Sequence, residues 1–191
     1  MGRRSNTWIV AALRPPLLIL GFGARVIYRL LFAEDDRKRA TKSQEDLAED
    51  IQTSIPFLFR ELEGQIVPNE GECFPPPFDY AVVTVEVPPF RLKFTRGRGG
   101  LAVQAAPRFS PRGWHELSAV LFALDVPGVK RGSIAGLTQA GDLMRQHIVA
   151  LSKAHTEGEY PQLKRQLMEI YERDRIITKQ LEAEINRRIY G

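Results

Sequence analysis

The residues with the clearest chemical potential are the arginines and glycines of the run Arg96-Gly97-Arg98-Gly99-Gly100. Glycines let a backbone approach a phosphate closely, and two arginines could neutralise its charge. The usual phosphate-binding loops, however, open a helix and have a longer spacing, whereas this run joins two segments that alternate like strands. The run is therefore interpreted first as a hairpin loop with solvated arginines, and an anion or nucleic-acid contact is the alternative.

Basic residues continue on both sides of this loop. Residues 90–114 contain six lysines and arginines and no acid. A basic hairpin over 91–112 could therefore bind nucleic acid or another anion, although the alternation turns Phe90 and Phe94 to the apolar face, where they cannot stack on bases. This is kept as the less favoured function, and its candidate contacts are Arg91, Lys93, Arg96 and Arg98.

The other side chains that could carry chemistry lack the necessary spacing. His115, His147 and His155 form no H-x-x-x-H or H-E-x-x-H pair, and the single cysteine, Cys73, forms no C-x-x-C pair. No nucleophile or nucleotide-binding motif occurs. The sequence therefore predicts no catalytic residue, no metal site and no cofactor.

The elements that would position these residues centre on an antiparallel sheet. Apolar residues alternate over 80–87, 90–96 and 101–105. Turns at Pro88-Pro89 and at residues 97–100 give a three-stranded meander, and Gln65–Val67 would add a fourth strand. The expected cross-strand pairs are Val87 with Phe90, Val85 with Leu92, Val83 with Phe94, Glu86 with Arg91, Thr84 with Lys93, Phe94 with Val103, and Leu92 with Ala105.

Helical periodicity surrounds this sheet. The spacing predicts helices over 44–53 and 55–63 before it, and over 114–124 and 138–154 after it. Trp114 opens the third helix and is expected to be a core anchor because of its size. The predicted fold class is α+β, a three- or four-stranded antiparallel meander with helices on one face.

A long amphipathic helix is predicted over residues 161–189. At 1.5 Å per residue it would extend on the order of 40 Å, more than a small sheet needs. Two interpretations remain open, namely association with a helical partner or a second copy, and packing along the preceding helix as an αα-hairpin. The candidate association face consists of Leu163, Leu167, Ile170, Ile177, Leu181 and Ile185.

The N-terminal residues 8–33 are apolar but are interrupted by Arg14, Arg25 and Arg29. The longest run without a charge, from residue 15 to 24, falls short of the roughly 20 residues that span a bilayer. A transmembrane helix is therefore disfavoured. Three interpretations remain open: peripheral contact with a membrane surface, docking on the core or on a partner, and a true start that lies further downstream.

The stretch 55–124 resembles a loose group of small bacterial proteins with no established activity. Residues 92–99, LKFTRGRG, are similar to the group's strand L-R-F-x-R-D-R-G, which precedes a second strand and a tryptophan-led helix. This chain has Gly97 where the group tends to carry an acid. The resemblance implies this architecture and a bacterial source, and it implies no activity.

Composition and organisation complete the prediction. The chain has 191 residues, 43% apolar, 26% charged and a net charge of +4, which suits one globular domain with appendages. The predicted parts are an extension with a charged linker (1–40), an α+β core (41–135) and a helical hairpin or overhanging helix (136–191). The predicted function is a non-catalytic protein-interaction module of the bacterial cytoplasm, with the inner membrane face as a second place of contact.

Overall fold

The computed structural model describes residues 42–68, 80–97, 100–110 and 112–190. Those from Ser43 onward belong to one compact unit. The predicted extension over 1–40 and Arg98 lie outside the described residues. The helices are α1 (42–54), α2 (Phe57–Arg60), α3 (Leu117–Ala123), α4 (Leu137–Gln146), α5 (Ile148–Ala154) and α6 (Tyr160–Tyr190). The strands are β1 (Gln65–Val67), β2 (Ala81–Val87), β3 (Phe90–Gly97), β4 (Gly100–Pro107) and β5 (His115–Glu116).

Two short helical segments lead into the sheet. In α1, Leu47 and Ile51 are one turn apart and fully buried, because an i, i+4 pair lies on one helix face. The second helix ends early, and the backbone N–H of Gly64 donates to the carbonyl oxygen of Leu58 at 2.7 Å. A Cβ at Gly64 would collide with that carbonyl, so this turn requires glycine.

The sheet has five strands in the order β1-β2-β3-β4-β5, and every neighbouring pair is antiparallel. All the expected cross-strand pairs are confirmed, from Val87 with Phe90 to Leu92 with Ala105. The peptide bond between Pro88 and Pro89 in the first turn is cis. The register is therefore the one that the two-residue alternation and the two turns predict.

The sheet extends further than the predicted three or four strands. His115 pairs with Ala105, and Glu116 pairs with Gln104, which makes a fifth strand from residues expected to be helical. Helix α3 consequently begins at Leu117 and not at Trp114. A strand of two residues is too short to show an alternating pattern. Its pairing with β4, and not its own sequence, therefore makes it a strand.

One face of the sheet carries the hydrophobic core. Phe90, Leu92 and Phe94 of β3 are fully buried against side chains from the helices. The predicted helix over 138–154 is divided at His147 into α4 and α5, and both contribute buried residues such as Met144 and Leu151. The predicted α+β class is confirmed, and the long C-terminal helix is present as α6.

Candidate functional site

Helix α6 contains 31 residues, and its first third packs against the core. Leu163 and Leu167 are buried, Ile170 is partly buried, and the helix packs on α3. These three residues belong to the candidate association face predicted from the sequence. The structure therefore assigns them to the core of this chain, where they hold α6 in place.

The C-terminal half of α6 is exposed along its whole described length. Every residue from 175 to 189 is exposed, including Ile177 at 53%, Leu181 at 55% and Ile185 at 50%. We name these three residues the distal stripe. They are the other half of the predicted face, so the candidate face divides into a buried half and an uncovered half.

The distal stripe continues the buried face of the same helix. At 3.6 residues per turn, the six predicted residues fall within an arc of about 80° around the helix axis. Ile176 and Met168 are also exposed, at 47% and 57%, but the same geometry places them outside this arc. The apolar face that packs on α3 therefore continues along the same side of the helix where α6 is exposed to solvent.

The basic hairpin residues that the structure describes already have partners. The guanidinium carbon of Arg91 lies 5.4 Å from the centre of the Trp114 ring, and Nζ of Lys93 lies 4.6 Å from it. Arg96 donates to a carboxylate oxygen of Asp50 at 2.7 Å. Three of the four candidate anion contacts therefore interact with residues of this chain.

Trp114 does not have the expected role of core anchor. It is half-buried and carries Arg91 and Lys93 over its ring, on the sheet face opposite the core. Nε and Nη2 of Arg91 are buried and have no hydrogen-bond partner among the residues that the structure describes. The expected partner of Arg91, Glu86, forms an ion pair with Arg108. Trp114 therefore contributes cation–π contacts to Arg91 and Lys93, and it does not anchor the hydrophobic core.

Gly97 has a structural reason to be glycine. It ends β3, and a Cβ at this position would collide with the ring of Tyr80. Tyr80 directly precedes Ala81, the residue of β2 that pairs with Arg96. The ring of Tyr80 therefore occupies the space that a side chain at position 97 would need.

A cluster of histidines and tyrosines anchors the first part of α6. Nε2 of His115 lies 3.3 Å from the hydroxyl of Tyr160, and Nδ1 lies 3.4 Å from the hydroxyl of Tyr171. The Tyr160 hydroxyl in turn donates to the carbonyl of Gly113 at 3.5 Å. A neutral imidazole protonated on Nε2 satisfies these contacts, because it donates to Tyr160 and accepts from Tyr171.

His155 lies deeper in the same cluster and is fully buried. Its Nδ1 is 2.8 Å from the carbonyl oxygen of Leu151, while Nε2 has no hydrogen-bond partner within the described part of the chain. The ring lies between Phe90, with centroids 5.3 Å apart, and Tyr160, with centroids 6.3 Å apart. A charged imidazolium would leave one N–H unpaired in an apolar environment, so the site favours the neutral form.

The pKa values in the cluster follow from burial. Burial lowers the pKa of His115, and the nearby Lys164 lowers it further. Burial also lowers the pKa of His155, and the hydrogen bond to Leu151 opposes this shift in part. The pKa values of Tyr160 and Tyr171 are raised, mainly by burial. All four side chains are therefore held in their neutral forms at neutral pH.

A loop after α3 completes the anchor. The guanidinium of Arg131 lies 5.2 Å from the ring centre of Tyr171 and forms an ion pair with Asp174. One carboxylate oxygen of Glu116 accepts from the hydroxyl of Ser118 and, at 3.1 Å, from the backbone N–H of Gly132. These contacts tie strand, loop and helix together, and we assign the cluster the role of positioning α6.

The sequence offered no signal for this cluster, because its members are far apart in the chain and only the fold brings them together. Within the residues that the structure describes, no group of three or more His, Cys, Asp or Glu side chains could hold a metal ion. The same part of the chain has no helix with the length and apolar character to cross a bilayer.

Comparison with known proteins gives no relative for this chain: no protein family, no curated protein and no solved structure matches it.

Proposed function

We propose that the protein is a non-catalytic interaction module that binds a helical protein partner through the distal stripe. The observation that supports this proposal is the uncovered continuation of a core-forming helix face, with Ile177, Leu181 and Ile185 each about half exposed. Side chains at i, i+4 and i+8 lie on one face, as in helices that pack on another helix.

The energetics favour a partner at this surface. Full burial of an isoleucine or leucine side chain contributes about 1.5–3 kcal/mol, so covering the exposed half of each would contribute roughly 1 kcal/mol. A projecting helix without tertiary contacts is also marginally stable in water, so a partner would stabilise its helical state.

The other faces of distal α6 are suited to solvent. Arg175 pairs with Glu172 at 2.9 Å on those faces. Such an i, i+3 pair supports a helix by a few tenths of a kcal/mol. Apart from Ile176 and Ile189, the large exposed apolar side chains of this half of α6 lie on one face, and the other faces carry charges of both signs.

The proposal can be tested by site-specific photo-crosslinking with the full chain in cells. A photoreactive amino acid at position 181 should yield a protein adduct, because this position is central in the distal stripe. The matched control is position 176, which is similarly exposed at 47% but lies outside the stripe.

The adduct from position 181 should disappear when Ile177→Gln and Ile185→Gln are added, because both changes preserve helix propensity and remove apolar surface. The free energy of unfolding must stay close to that of the parent protein. Equal labelling from positions 176 and 181, or no adduct from either, would contradict the proposal.

The alternative function, nucleic-acid or anion binding through residues 91–112, has less support. Arg91 and Lys93 stack on Trp114, and Arg96 pairs with Asp50, so binding would have to compete with these contacts. A salt-sensitive affinity for single-stranded DNA that Arg96→Glu abolishes would favour this alternative over the first proposal.

A further inference from the structure

The distal stripe has an internal symmetry that bears on the identity of its partner. Ile177 and Ile185 stand four residues before and after Leu181, and Asp174 and Arg188 stand seven residues before and after it. The central residue is apolar, the next pair is apolar, and the outer pair has opposite charges. When the helix direction is reversed, apolar positions therefore fall opposite apolar positions, and the acidic position falls opposite the basic one.

All five residues share one side of α6. With about 100° of rotation per residue, Asp174 and Arg188 fall within the same arc of about 80° that contains the distal stripe. The carboxylate and the guanidinium both reach solvent, since the side chain of Asp174 is 48% exposed and that of Arg188 is 79% exposed. Both groups could therefore contact a helix that lies along the stripe.

An antiparallel second copy would match this pattern at every position. With a two-fold axis through Leu181, each Ile177 meets Ile185 of the other copy, and Leu181 meets its own equivalent. Each Asp174 then meets Arg188 of the other copy. A parallel pair in the same register would instead place Asp174 beside Asp174 and Arg188 beside Arg188, which is unfavourable.

The existing partners of the two charged residues do not prevent this contact. Asp174 pairs with Arg131, and Arg188 pairs with Glu184 within its own helix. A carboxylate accepts from more than one donor, and a guanidinium has five N–H groups, so each can take an additional partner. The surrounding segment 172–190 has five basic and four acidic residues, so two copies would not strongly repel each other.

We infer that the partner of the distal stripe is a second copy of this chain, bound antiparallel about a two-fold axis through Leu181. This inference rests on the proposed function and specifies its partner. It assigns Asp174 and Arg188 to the interface as the charged pair that selects the antiparallel orientation.

Disulfide trapping of the full chain tests the orientation. Single cysteines are introduced as Ile177→Cys, Leu181→Cys and Ile185→Cys in a Cys73→Ser background, and each variant carries a tag of different length. An antiparallel pair should give a mixed disulfide between the 177 and 185 variants, because their Cβ atoms would approach the separation of roughly 3.5–4.5 Å that a disulfide requires. The 181 variant should link to itself.

Sedimentation equilibrium tests the charged pair independently. Arg188→Asp should weaken the dimer by about ten-fold, since two ion pairs become repulsive in each dimer. Adding Asp174→Arg should restore the affinity, because the pair is then reversed and complementary again. The matched control is Glu182→Arg, a charge reversal of the same helix outside the stripe, which should leave the affinity near that of the parent.

The remaining outcomes separate this inference from the proposed function. Self-linking of the 177 and 185 variants without a mixed product indicates a parallel pair and overturns the inference. A chain that stays monomeric, while position 181 still labels a different protein in cells, overturns the second copy and leaves the interaction module standing. A monomer with no adduct at all overturns both.

Discussion

At the scale of single residues, His155 gives the sharpest prediction, because it is fully buried and no described residue forms a hydrogen bond with its Nε2. Burial lowers its pKa below the ordinary 6.5, and that of His115 is lowered in the same way. The unfolded chain therefore binds more protons than the folded chain around pH 6. The free energy of unfolding should be highest above pH 7 and should fall as the pH drops below 6.5 towards the lowered pKa values.

The histidine contribution can be isolated from that of the acidic side chains by substitution. His115 is surrounded by Tyr160, Tyr171 and Lys164, so protonation of His115 would place a second positive charge near a lysine. In the variant His155→Phe, the difference between urea unfolding at pH 8 and at pH 5 should be smaller than in the parent. His147→Gln, outside the cluster, serves as the control, and an equal change in both variants would contradict the assignment.

Arg91 leads to a second prediction at this scale, because two of its nitrogen atoms are buried and find no hydrogen-bond partner in the described ranges of the chain. An unpaired buried donor costs about 1–3 kcal/mol, whereas stacking of a cation on an aromatic ring contributes about 0.5–1 kcal/mol. Arg91→Leu should therefore raise the free energy of unfolding by about 1 kcal/mol in urea titrations. A clear loss of stability would mean that the stacking on Trp114 dominates.

At the scale of elements, α6 has a buried and an exposed part with the same apolar spacing, and stability measurements should distinguish them. Leu167→Ala should lower the free energy of unfolding by about 2–5 kcal/mol, because it leaves a cavity against α3. Leu181→Ala should change it by less than about 0.5 kcal/mol, since Leu181 is more than half exposed. Both values are measured by urea unfolding at a protein concentration low enough to avoid association.

A cost for Leu181→Ala that equals the cost for Leu167→Ala would contradict this division of α6. At high protein concentration, Leu181→Ala should lower the free energy of unfolding by more than at low concentration, because a dimer couples association to folding. Leu167→Ala should cost the same at both concentrations, since Leu167 is already fully buried within its own chain.

The sequence predicts the central meander correctly because two independent signals agree there. The two-residue alternation of β2 and β3 and the turn at Pro88-Pro89 allow only one register, since a slip by one residue would turn Phe94 to the solvent face. The fifth strand and the break at His147 are missed because each depends on tertiary contacts and leaves no periodic pattern of its own.

The predicted association face shows what periodicity can and cannot decide. Leu163 and Ile185 both belong to the candidate association face, yet Leu163 is buried and Ile185 is half exposed. Helical spacing identifies the face of a helix that needs a partner, and it does not say whether that partner lies in the same chain. The histidine–tyrosine cluster has no spacing signal at all, because residues 115, 155, 160 and 171 meet only in the folded chain.

At the scale of the whole molecule, charge and apolar residues are unevenly distributed along the chain. Residues 1–33 contain five arginines and no acid, and the distal part of α6 projects an apolar stripe at the other end of the sequence. The described core lies between these two segments in the chain. Two separate binding activities are therefore expected, one for each of these segments.

The N-terminal activity is tested by flotation of the full chain with vesicles. Residues 8–33 should bind vesicles that contain phosphatidylglycerol and release them in about 0.5 M salt, because arginines attract anionic headgroups within a Debye length. The triple substitution Arg14→Gln, Arg25→Gln and Arg29→Gln should abolish this binding. Three matched substitutions in α6, at Arg173, Arg175 and Arg187, should leave it intact. Equal binding to vesicles of phosphatidylcholine alone would show that apolar contact and not arginine charge holds this segment at the membrane. No binding to either kind of vesicle at low salt would contradict the prediction.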